Sequence, residues 1–135
     1  MAVFAATDYK VTVNSNNLSD RLQSVELSLE SDDLETTAFG DTFRTRVGGL
    51  KTGTITLTFF QDFAAGEVDA SLFPLYNTIA TVVVVPTSSS VSPTNPSYTM
   101  NCLVNQYQPF ASSVGDIATV SVSWPTTGTV TRGTA

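Results

Sequence analysis

Histidine is absent from this chain. Its absence removes the commonest general base, the usual nitrogen ligand of transition metals and every Ser-His or Cys-His nucleophile pair. Cysteine occurs once, as Cys102, which excludes an internal disulfide and a cysteine-cluster metal site. A lone cysteine of this kind is expected to be a small buried hydrophobe in a strand. Charge is scarce as well: Asp, Glu, Lys and Arg make up 13% of the residues, about half the usual share. Long apolar runs are missing. Val82–Val85 is far too short to span a bilayer, and Met1–Ala6 has neither the basic start nor the apolar core of a signal peptide. No membrane partner is expected.

What fills the space is Ser, Thr, Asn and Val. At 135 residues the chain reads as one domain, long enough to bury a core without staples. The net charge is −6, and it is unevenly placed. Every acid but Asp116 and every base but Arg132 lies before residue 70. Glu26, Glu30, Asp32, Asp33 and Glu35 follow one another with no base between them. Lys10, Arg21, Arg44, Arg46, Lys51 and Arg132 make no basic cluster, so tight binding of nucleic acid is disfavoured.

A period of two dominates the pattern. Tyr9, Val11 and Val13 alternate with polar residues, as do Val25, Leu27 and Leu29, then Ile55, Leu57 and Phe59. The same holds for Tyr98, Met100, Cys102 and Val104, and for Ala118, Val120, Val122 and Trp124. Each reads as a strand with one face in a core. Ile79–Val85 is a nearly unbroken β-branched run, expected to be covered on both faces, either as a central strand or by a partner. One helix is predicted over Gly66–Tyr76, where Val68, Leu72, Leu75 and Tyr76 share a stripe that Pro74 should end. Asn14–Asn17 is a turn, and Pro86–Ser97 an exposed hairpin arm. Residues 1–125 are therefore expected to form a single β-sandwich or barrel with a short flanking helix. Residues 126–135 have no apolar face and are expected to be flexible or ordered by a partner.

Residue chemistry gives no reaction. Asp32, Asp33, Glu35 and Asp41 cluster oxygen ligands, but without the order of an EF-hand loop they read as a solvated acidic segment. Asp62, Glu67 and Asp69 resemble paired carboxylates for glycoside hydrolysis, yet they stand where acids favour a helix N-terminus. Ser112–Asp116 lacks the Gly-x-Ser-x-Gly elbow, and Val47–Thr52 lacks phosphate-loop spacing. Trp124, on the face of Val120 and Val122, reads as core; with Tyr98 and Tyr107 it would otherwise offer a sugar platform. No catalytic residue, metal site or cofactor is expected.

The segment between the second and third alternating strands remains. Asp33, Thr37, Phe39, Gly40, Asp41, Phe43 and Arg44 lie in a polar connection with embedded aromatics, expected to run as a loop from Ser31 to Leu50. Loops longer than about 12–15 residues in a compact domain usually do a job or are disordered. Phe39 and Phe43 suit a segment that packs on something outside its own domain.

These residues carry a resemblance. Leu18-Ser19-Asp20, the strand Val25–Glu30, Thr37-Ala38-Phe39-Gly40-Asp41-Thr42-Phe43-Arg44, Gly49-Leu50 and Gly53 succeed one another as in small tail tube (major tail) proteins of long, non-contractile-tailed bacteriophages. Gln61-Asp62-Phe63, Pro93–Tyr98 and Ser113–Asp116 extend the likeness over roughly residues 8–131. The resemblance implies a β-sandwich-like subunit, six to a ring, with rings stacked into a hollow tube that conducts the genome. It implies virion location, assembly in the bacterial host cytoplasm, and tape-measure, terminator and distal tail proteins as partners. It makes Ser31–Leu50 an arm to the next subunit or ring, anchored by Phe39 and Phe43. Many members extend into a C-terminal decorating domain, which residues 1–135 do not contain. A conduit should repel phosphate rather than grip it. Glu26, Glu30 and Asp32 are therefore candidates for the bore, with the face of Thr54, Thr56 and Thr58 as the alternative lining.

Overall fold

A computed structural model describes residues 3–135. The strands are, in chain order, β1 (Lys10–Val13), β2 (Asn16–Asn17), β3 (Leu22–Glu35), β4 (Arg46–Phe60), β5 (Ile79–Val85), β6 (Ser97–Leu103), β7 (Thr119–Pro125) and β8 (Thr131–Gly133). They form two sheets, ordered β2-β1-β5-β6-β8 and β3-β4-β7, with every pair antiparallel. The sheets remain separate, so the architecture is a sandwich and not the barrel also considered.

The period-two reading explains the core. Val11, Val13, Ile55, Leu57, Phe59, Val120, Val122 and Trp124 are buried in one cluster with Ala80, Val82, Met100 and Cys102. A strand sends alternate side chains to opposite faces, so each alternating run has one apolar side to offer a facing sheet. Asn14 and Ser15 join β1 to β2 with φ of 50° and 74°, the two-residue turn whose twist matches a hairpin. The helix α1 is shorter than the stripe suggested, Val68–Leu72, and continues as a 3₁₀ turn over Phe73–Leu75. Pro74 lies in that turn, as its missing N–H requires. Val68 and Leu72 close one end of the sandwich.

Three expectations change. β5 is central, between β1 and β6, but its second face is covered only at one end: Ala80 and Val82 are buried on one face and Val85 on the other, whereas Ile79 is 54% exposed and Thr81 is open to solvent. The connection from Ser31 to Leu50 is not a loop. β3 and β4 pair from Leu22↔Phe59 out to Glu35↔Arg46, so only residues 36–45 leave the ladder. The segment 126–135 is not free of its own chain, because β8 pairs with β6 through Thr99↔Thr131 and Ser97↔Gly133. Backbone pairing needs no apolar side chain, which is why neither extension shows in the hydropathy pattern.

Candidate assembly surfaces

The β3–β4 hairpin outruns its sheet. The third strand, β7, accompanies β4 only from Phe60↔Thr119 to Thr54↔Pro125. Beyond that point β3 and β4 continue alone as a two-stranded arm, roughly 17 Å from Glu30 to Glu35 at about 3.3 Å per residue. Both faces of the arm lie outside the core. Leu34 and Val47 are each about half exposed, and Leu50 is open. A register shift between Ser31 and Asp33 sets Gly49 and Leu50 against Asp32, a bulge that increases local twist.

The tip is held by its own side chains. Thr36 N–H donates to the Thr45 carbonyl at 2.8 Å, and Thr45 N–H to Thr37 Oγ1 at 2.9 Å. Asp41 Oδ2 accepts from Ala38 N–H at 2.9 Å, while Asp41 N–H returns a bond to the Ala38 carbonyl. Gly40 supplies the φ of +96° that this turn needs. Two ion pairs cross the strands: Arg44 Nη1 to Glu35 Oε1 at 2.6 Å, and Arg46 Nε to Asp33 Oδ2 at 3.3 Å. Phe39 and Phe43 are left bare, at 109% and 85% exposure. The arm thus brings together Asp33, Thr37, Phe39, Gly40, Asp41, Phe43 and Arg44, with the polar members bracing the turn and the aromatic ones facing outward.

The second surface is the solvent face of the three-stranded sheet. Directly paired residues share a face. Glu26 pairs with Thr56, Thr56 with Ser123, Ser28 with Thr54 and Glu30 with Thr52. The acidic lane and the threonine lane, weighed as alternatives, are therefore one continuous surface. Thr56 Oγ1 donates to Ser123 Oγ at 3.3 Å, and Thr58 and Ser121 share a hydroxyl contact at 3.4 Å. Asp32 does not belong to the flat part of this face. It lies at the bulge, where its Cβ would come within 2.9 Å of any side chain at Gly49.

A third exposed patch went unread in the sequence. Phe63 stacks on Phe110 with ring centroids 5.6 Å apart, and both rings are mostly exposed. Val114 and Ile117 are exposed in the same β6–β7 connection. Single apolar residues among Ser, Gly and Asp carry no period, so pattern reading passes over them.

The residues weighed for catalysis are engaged otherwise. Arg21 Nε donates to Asp62 Oδ2 at 2.9 Å and lies 3.8 Å from Glu67. The Asp62 carboxyl also accepts from Ala64 N–H, and that bond first, then Arg21, holds it below the usual carboxylate range. Asp69 accepts the Tyr107 hydroxyl at 2.6 Å. Burial, with Asp69 adding to it, pushes that phenol up to about 12. Cys102 is buried, and burial raises its thiol to about 11. Trp124 is fully buried and donates its indole N–H to the Gln106 carbonyl at 2.9 Å, which removes it as a sugar platform. Among the described residues no group of three His, Cys, Asp or Glu is placed to hold a metal ion, and no helix is long and apolar enough to cross a membrane.

No family model and no curated protein matches this chain. Solved structures do. A chain from the virion of the native gene transfer agent (GTA) particle superposes with a TM-score of 0.77 at 11% identity, covering 96% of this chain and 98% of that one. One from the tail of the empty GTA particle, refined with C6 symmetry, gives 0.67 at 13% identity over 85% and 83%. A chain of the six-fold symmetrised anti-feeding prophage (AFP) baseplate gives 0.53 at 10% identity over 98% and 97%. At such low identity the likeness is one of fold: this chain shares its fold with chains of these three particles over most of its length.

Proposed function

We propose that this chain is a structural subunit of a phage-like tail, specifically a tail tube protein that forms six-membered rings stacked into a hollow conduit. The observation that carries the reading is the projecting arm. A projecting two-stranded hairpin with two bare phenylalanines at its tip has no role inside its own fold. Each ring buried in a neighbour contributes about 1.5–3 kcal/mol. The fold likeness to chains of a GTA virion and a C6-symmetric GTA tail supports a ring of copies.

The outer face of the β3-β4-β7 sheet suits the bore. Glu26 and Glu30 stand among Thr52, Thr54, Thr56, Ser121 and Ser123, so the surface is acidic and hydroxyl-rich with no cation on those paired positions. Such a lining repels phosphate and leaves DNA free to pass without tight binding. Asp32, at the root of the arm, would lie at the margin of that surface. The outer edge of β3 is available for pairing with a neighbouring subunit, which would remove an exposed strand edge, whereas β7 is capped by Gln106 and Ser112 side chains on its Ser123 and Thr119 amides. The reading is non-enzymatic and places the protein in the virion after assembly in the host cytoplasm, with tape-measure, terminator and distal tail proteins as contacts.

A second reading, a ring component that does not polymerise, such as a terminator or connector, draws on the likeness to the AFP baseplate chain. Helical reconstruction of assembled protein tests the proposal and separates the two. A tube subunit gives long cylinders with Glu26 and Glu30 on the inner wall. Isolated rings favour the second reading, and cylinders with those carboxylates outside refute the bore assignment.

A further inference from the structure

The three-stranded sheet ends on a bond made by a side chain. Gly53 is buried, and both of its backbone groups face away from β3. Its carbonyl accepts from Thr126 N–H at 2.9 Å, in the manner of a further β7 residue. Its N–H donates to Thr126 Oγ1 at 3.1 Å, where a regular strand would offer a backbone carbonyl. Thr126 also bridges to Cys102, and Thr127 N–H donates to the Asn101 carbonyl at 2.8 Å. The chain then enters β8 on the other sheet. Residues 126–127 therefore tie both sheets together at the point where the arm leaves the body.

The packing there is tight. A Cβ at Gly53 would meet Leu29 Cδ2 at 3.0 Å and Thr126 Oγ1 at 3.2 Å. Past this contact a cleft of about 720 Å³ opens between the arm residues Glu30 and Lys51 and the strap residues Gly128, Thr129 and Val130. Thr126 is thus the last point at which the body holds the arm. A two-stranded ribbon beyond its sheet has only its own ladder to set its direction.

We propose that Thr126 is a positioning residue: its hydroxyl, clamped on the Gly53 amide, sets the angle at which the arm leaves the sandwich. The segment 126–133 then acts as a strap that transmits the orientation of both sheets to the arm. This inference rests on the arm as the assembly element, but the angle is a property of the single subunit and is measured there.

The test uses nitroxide labels on Thr42→Cys at the arm tip and Ser90→Cys on the body, with buried Cys102 unlabelled, in dilute monomer. Thr126→Val keeps the branched shape and removes the hydroxyl. It should broaden and shift the tip-to-body distance distribution while circular dichroism stays that of the parent; Thr126→Ser should restore the parent distribution. An unchanged distribution in Thr126→Val overturns the proposal. Should Thr126→Val fail to fold, hydrogen exchange on the unaltered chain decides: the Gly53 amide should exchange far more slowly than amides of the arm tip, and equal rates overturn the clamp. If the parent forms no tubes, the proposed function falls while the distance measurement still decides the role of Thr126.

Discussion

Phe39 and Phe43 are the residues on which the functional reading turns. Neither touches the core, so replacing both with serine should leave the melting temperature within a degree or two of the parent. The same double change should raise the concentration needed for assembly roughly a hundred-fold or more, since each buried ring is worth about 1.5–3 kcal/mol. Light scattering over a dilution series checks this; unchanged assembly would remove the rings as anchors. Tyr107 offers a separate check on the body. Its phenol is raised to about 12 in the folded chain against 10.0 for the free group. Its contribution to stability is therefore full below pH 10 and lost as pH rises from there toward 12, because the unfolded chain releases that proton first. Tyrosinate absorbance should show a late-titrating phenol that disappears in Tyr107→Phe. Residues inside the alternating runs, such as Cys102 and Trp124, were legible as core from spacing alone. The Asp69–Tyr107 bond was not, since the two are joined only by the fold.

At the scale of elements, the strands with a covered face were readable and those without one were not. β4 shows its period over Ile55, Leu57 and Phe59, where one side meets the core, and loses it over Arg46–Thr52, where neither side does. The backbone ladder continues regardless, so the residue pattern of a hairpin here is that of a loop. β8, with Thr131, Arg132 and Gly133, hides for the same reason. β5 differs in the opposite sense: a β-branched run suggests two covered faces, and within one subunit the second is covered at Val85 but open at Ile79 and Thr81. If the arm is dispensable to the fold, replacing residues 31–51 with Asn-Gly should close a two-residue hairpin on the hydrogen-bonded Glu30↔Thr52 pair. The shortened chain should melt like the parent and remain monomeric in sedimentation. Global unfolding would instead make the arm part of the folding core.

For the whole molecule, charge placement and surface topology meet in one sheet. The acids sit almost entirely in the first half of the chain, and β3 carries Glu26 and Glu30 on a face that the remaining strands fill with hydroxyls. Closing copies into a ring with that face inward gathers like charge, and salt screens such repulsion within a Debye length of about 8–10 Å. Assembly should accordingly begin at lower protein concentration as ionic strength rises, and the dependence should weaken in a Glu26→Gln, Glu30→Gln chain. The tip pairs Arg44–Glu35 and Arg46–Asp33 work within one arm and should alter this trend little. The claim beneath all of this is that the chain spends its exposed apolar surface on copies of itself. Electron microscopy of the purified protein across a concentration series tests it most directly. Hollow cylinders of six-fold symmetry should appear above a threshold concentration; a chain that stays strictly monomeric at every concentration reached would contradict the account.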